Sequence, residues 1–136
     1  MMELQLKIIG VLLSILACVH VIFPRYFDWA EDLKPLSLIN RELMYIHTFF
    51  IALTILLMGI LCFFATDDLL TTRLGSKIAL GLCLFWTARL LVQFIGYSPA
   101  LWKGKRFETF IHVLFSFLWG YLSLVFFLVY YRSSAL

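Results

Sequence analysis

Three histidines and one deep arginine are the side chains whose types and positions could do chemistry in this sequence. His20, His47 and His112 each fall about one helical turn from the end of a long apolar stretch. Reversing the direction of successive helices brings all three to a similar depth beneath one surface. Arg89, Gln93 and Tyr97 follow one another at four-residue intervals, a spacing that puts them on one helix face. At 1.5 Å per residue, Arg89 lies about 12 Å below Tyr97. Glu108, His112, Ser116 and Gly120 repeat that spacing, and Asp28, Glu31, Asp32, Arg41 and Glu42 stand above the same surface. The opposite half of the apolar stretches has almost no ionisable group.

Two kinds of chemistry fit this set. His47 and His112, with Glu108 as an acid partner and His20 as a more remote member, have the donor types of a metal site, and imidazole suits haem iron, copper and zinc alike. His20 is turned about 120° from Ser14 on its own helix, away from the small-residue face. The second kind centres on Arg89. A guanidinium well inside hydrocarbon costs at least ~2.5–3.5 kcal/mol and persists where it faces a partner or a wet cavity. Arg89 therefore calls for a counter-charge: a haem propionate, an acid side chain, a small anion or a lipid headgroup. Gln93, Tyr97, Arg41 and Glu42 are the polar residues available to line such a site. The simpler reading of each histidine is an interfacial ring with a wet polar tip. No serine or cysteine has a base at a legible spacing and no glycine loop could cradle phosphate, so no reaction template is present. No internal proline breaks a span and the other half of the chain lacks matching polar groups, which disfavours a two-sided transport path.

The elements that must position these residues follow from composition. The 136 residues are 63% hydrophobic and 14% charged, with a mean hydropathy of +0.98. Soluble domains run near 45–50% apolar and about 25% charged, so this chain cannot cover itself with polar surface. Disorder is excluded by the same figures, and a net charge of +3 spread over short loops makes no nucleic-acid stripe. Apolar runs at about residues 6–23, 42–65, 74–97 and 107–131 are close to the ~20 residues a helix needs to cross a bilayer. The expected fold is a single all-α domain over residues 1–136: a polytopic membrane protein, built as a four-transmembrane-helix up-and-down bundle with a short interfacial helix. The first run looks superficially like a signal peptide ending at Cys18, but the residues beyond Cys18 stay apolar, so it is read as a retained span.

Pro24 is expected to end the first helix. Asp28 and Glu31 have capping-box spacing for a short helix over residues 26–34, and Tyr26, Phe27 and Trp29 would seat it in the interface. Gly10, Ser14 and Cys18 form one small-residue seam for helix contact, and Ser116, Gly120 and Ser123 another. Trp119 and the Phe-rich fourth span read as lipid-facing and packing surface. The three cysteines sit inside spans and read as packing residues. With four spans both termini share a side. Lys7, Arg73, Lys77 and Arg132 lie there, against Arg25, Lys34, Arg41, Lys103, Lys105 and Arg106 on the loop side. The positive-inside rule then leans toward cytoplasmic loops at 24–41 and 98–106. The buried glutamate of small multidrug exporters, the polar track of fluoride channels and the pattern around Asn40-Arg41-Glu42 in membrane glutathione-dependent enzymes are all missing. Three functions stay open: a metal or haem redox protein, a binder of an anionic small molecule or lipid headgroup, and an accessory subunit. The expected partners are the lipid bilayer and a membrane-protein partner or second copy, not nucleic acid.

Overall fold

The computed structural model describes residues 1–134. It is 87% helical, with no strand among the described residues. Helix α1 spans Met2–Tyr26, α2 Trp29–Asp32, α3 Leu38–Phe64, α4 Thr66–Thr71 and α5 Arg73–Ile95; a 3-10 turn follows at Pro99–Leu101, and α6 runs Arg106–Ser133. Of these, α1, α3, α5 and α6 are long and apolar enough to cross a membrane. Large side chains such as Phe49, Phe50, Phe110 and Phe117 are exposed along them, as a lipid solvent allows. A helix pairs its interior backbone groups within itself, which is what the hydrocarbon demands of each span.

The chain divides into two compact units, residues 4–66 and residues 67–136 with 1–3. In the first, α1 and α3 pack antiparallel and cross where both carry glycine. A Cβ on Gly10 would lie 2.9 Å from the Gly59 carbonyl oxygen and 2.9 Å from Phe63 Cβ; one on Gly59 would lie 2.9 Å from the Gly10 oxygen. Backbone meets backbone there, so the first small-residue seam is a close crossing. Ser14 spends its hydroxyl on the Gly10 carbonyl at 2.8 Å. The second seam is not one. Nothing comes within 4 Å of a Cβ built on Gly120, and Ser116 and Ser123 donate back to their own helix at His112 and Trp119.

Several boundaries differ from the sequence reading for local reasons. Pro24 lies inside α1; in the last turn its missing N–H withdraws one bond, and Phe27 N–H still donates to the Phe23 carbonyl at 2.9 Å. Asp28 does not form a side-chain cap. It takes a left-handed conformation at φ 47°, tolerable for Asp, and its backbone carbonyl accepts from Glu31 at 3.0 Å. The interfacial helix is accordingly shorter, four residues, with Trp29 edge-on to Tyr45 at 5.5 Å. The connection after Thr66 is itself the helical turn α4, and Gly75 is required beside it, because a Cβ there would collide with the backbone of Asp68 and Leu69.

In the second unit α5 and α6 are antiparallel neighbours. The buried positions Ser76, Ala79, Leu82, Trp86 and Gln93 trace one stripe on α5, and Trp119, Leu122, Val125, Phe126 and Val129 trace the facing stripe on α6. Gly10→Ala and Gly59→Ala should each destabilise the protein by about 1–3 kcal/mol through overpacking, whereas Gly120→Ala should be neutral or stabilise through helix propensity, about 0.5–1 kcal/mol. Thermal unfolding of the three variants in one detergent checks this; equal effects at all three positions would contradict the crossing.

Candidate functional site

The stripe on α5 carries Arg89 and Gln93 onto the face that meets α6. Arg89 is six residues, about 9 Å, from the end of α5 at Ile95. Its Nη1 donates to Gln93 Oε1 at 3.1 Å, and its Nη2 donates to the Tyr97 hydroxyl at a longer 3.4 Å. Tyr97 lies just past the C-cap Gly96, yet its ring still comes back over the guanidinium, 5.7 Å from Cζ to centroid. Below, Arg89 Cζ sits 4.9 Å from the Trp119 ring centroid, a distance at which the ring's negative face attracts a cation.

Gln93 is the junction of the cluster. Buried between the two helices, it accepts a second hydrogen bond at the same Oε1 from Trp119 Nε1 at 3.3 Å, and its Nε2 lies 2.9 Å from His112 Nδ1. His112 is in turn covered by Trp102, stacked on it at 4.6 Å and 12°, while Phe94 meets it edge-on at 6.0 Å. Trp102 is held over the ring by the turn before α6, where Thr109 Oγ1 donates to the Trp102 carbonyl at 2.6 Å. Trp119 stacks with Trp86, at 5.1 Å and 13°, and with Phe115, at 5.3 Å and 21°. Trp86 is 1% exposed, and its indole N–H has no acceptor. Trp119 is thus a buried member of the site and not lipid-facing surface. Its role, like those of Trp86 and Trp102, escapes sequence reading because tryptophan in a span has several ordinary uses; the one available signal is Trp86, one turn before Arg89 on the same face.

The other candidate residues lie elsewhere. His20 donates from Nδ1 to the Leu16 carbonyl of its own helix at 2.8 Å and rests against Phe23 at 4.7 Å. Arg41 is half-buried, and Glu42 and His47 are exposed, in the first three turns of α3. Glu108 is exposed one turn before His112. Among the described residues no group of three His, Cys, Asp or Glu side chains gathers where a metal could be held; of the expected ligand set, His20 and His47 belong to the first unit and Glu108 and His112 to the second.

The cluster has a surplus of donors. Arg89 uses two of its five N–H groups, His112 has a second ring nitrogen to spare, Trp86 has an unmet N–H, and the two acceptors in reach of Arg89, an amide oxygen and a phenol, are both neutral. No carboxylate among the described residues of this unit is in ion-pair contact with the guanidinium. The chain matches no known protein family, no curated protein and no solved structure.

Gln93→Leu keeps the side-chain volume roughly constant but strands donors on Arg89 and Trp119 and an acceptor on His112. It should lower stability by at least about 2 kcal/mol, against no measurable change for Arg132→Ala at the exposed end of α6. Unfolding of both variants in matched detergent decides it, and a Gln93→Leu protein as stable as the wild type would contradict the junction.

Proposed function

We propose that this integral membrane protein binds an anionic small molecule or lipid headgroup at Arg89, between the loop-side ends of α5 and α6. The observation that carries the reading is the unbalanced guanidinium: a full positive charge inside an apolar helix whose hydrogen-bond partners are neutral. Cation–π contact with Trp119 and Tyr97 offsets part of the cost of holding it there, about 0.5–2 kcal/mol, but supplies no negative charge. An oxyanion would use the spare N–H groups and remove the excess charge together. The indole and imidazole stack keeps the surroundings low in dielectric, which strengthens any such pairing.

A haem or transition-metal centre draws no support from the ligand geometry. An accessory-subunit role is compatible with the lipid-exposed faces but has no single feature in its favour. The excess of lysine and arginine on loops 24–41 and 98–106 supports an orientation with those loops, and hence the mouth of the Arg89 site, in the cytoplasm and both termini opposite.

The tryptophans around Arg89 supply the readout. In nanodiscs of phosphatidylcholine, tryptophan fluorescence should respond saturably either to sulfate added in the water or to phosphatidate added to the bilayer. Arg89→Gln should weaken that response about 10- to 100-fold, the loss of charge-assisted hydrogen bonds, and Arg132→Ala should leave it unchanged. A response equal in Arg89→Gln and the wild type would refute the reading.

A further inference from the structure

The hydrogen bonds around Gln93 fix a protonation state as well as a position. Arg89 Nη1 and Trp119 Nε1 can only donate, and both are directed at one Gln93 oxygen, at 3.1 and 3.3 Å. Turning the amide over would set its NH2 against two donors. With the oxygen committed, Gln93 Nε2 is the end that meets His112, and it donates to Nδ1 at 2.9 Å. His112 Nδ1 therefore carries no hydrogen, and the ring is neutral with its proton on Nε2. The network from Trp119 and Arg89 through Gln93 is closed only while His112 stays neutral.

We propose that His112 is the proton-responsive half of the Arg89 site, and that the ligand is a dianionic oxyanion group of the sulfate or phosphate-monoester type, bound together with one proton. The proposal rests on the anion reading of Arg89 and extends it to the ligand's charge. A proton from bulk water arriving at His112 Nδ1 opposes N–H to N–H and breaks the bond to Gln93. If Gln93 turns to accept from the imidazolium, Arg89 and Trp119 lose their acceptor; if it does not, His112 does. An oxyanion resolves the conflict by giving one oxygen to Arg89 and another to the imidazolium. Two positive charges then face two negative ones, whereas a monoanion is matched by Arg89 alone and leaves His112 neutral.

The groups facing His112 agree with this division. From α5 it meets Gln93 and Phe94, with Arg89 and Tyr97 behind Gln93; from the turn it meets Trp102, flanked by the exposed Lys103 and Lys105; on α6 the nearest charge is the exposed Glu108. No carboxylate among the described residues touches the ring to serve as a resident partner for the imidazolium. By linkage, whatever factor the proton adds to anion affinity the anion adds to proton affinity, typically 5- to 150-fold.

The test uses the full chain in phosphatidylcholine nanodiscs and sulfate, whose own charge does not change across the histidine range. Sulfate should bind about tenfold tighter near pH 5.5 than near pH 8, and calorimetry in buffers of different ionisation enthalpy should find about half a proton taken up per sulfate between those limits, the uptake that linkage requires of such a change. His112→Gln, which cannot be charged, should lose the pH dependence and the proton uptake while keeping Arg89-dependent binding; Glu108→Gln should keep both. A response to phosphatidate in place of sulfate, with the same His112-dependent proton uptake, supports the proposal and identifies a headgroup as the source. Should His112→Gln fail to fold, 15N-histidine NMR of the unliganded wild type gives an independent check: the neutral ring should carry its proton on Nε2, and a proton on Nδ1 would overturn the proposal. Arg89-dependent sulfate binding that ignores pH overturns it and leaves the Arg89 site standing. Absence of Arg89-dependent binding of both anions overturns both.

Discussion

One positive charge well inside an apolar helix, Arg89 on α5, constrains the whole α5–α6 hairpin. Arg89 cannot reach water directly along α5 without crossing about 9 Å of helix, so its surroundings must make the charge tolerable. They do so with one amide oxygen, one phenol and the face of an indole. The amide and the indole are held in turn. Gln93 is fixed by Trp119 and His112, and Trp119 by Trp86 and Phe115. His112 is fixed by the Trp102 lid, itself tied to Thr109.

The same arrangement explains why the site is an aromatic one. Tryptophan supplies a large apolar surface, a negative face for a cation and one N–H donor, so it can pack against lipid-like neighbours and still answer a charge. What it cannot supply is a negative charge, and nor can glutamine, tyrosine or neutral histidine. The hairpin therefore holds Arg89 in place without neutralising it. The α1–α3 unit is built on the opposite principle: Gly10 and Gly59 bring two backbones into contact, and close packing at the crossing takes the place of a charge.

Much of the fold was legible because lipid leaves the backbone little choice. Four apolar runs of spanning length become four helices, and Arg89 and Gln93 share a face because 3.6 residues per turn puts them there, while Tyr97 reaches the same guanidinium from just past the helix end. What was hidden depended on helix rotation, which one sequence does not fix. His112 and Glu108 share a four-residue spacing, yet the ring turns toward Gln93 while the carboxylate stays exposed. Ser116, Gly120 and Ser123 had the composition of a packing seam but not its partner, since α6 presents Trp119, Leu122 and Phe126 to the interior. Asp28 had the spacing of a cap, and the left-handed turn it adopts placed its backbone, not its side chain, in that role.

Whether the charge of Arg89 is answered by an anion from outside the chain can be asked without choosing a ligand beforehand, by native mass spectrometry of protein released gently from its own membrane. An external anion requires a wild-type population carrying a discrete added mass that fragmentation identifies as an anionic molecule, and its disappearance from Arg89→Gln but not from Arg132→Ala. The same adducts in the same proportions on wild type and Arg89→Gln would contradict it.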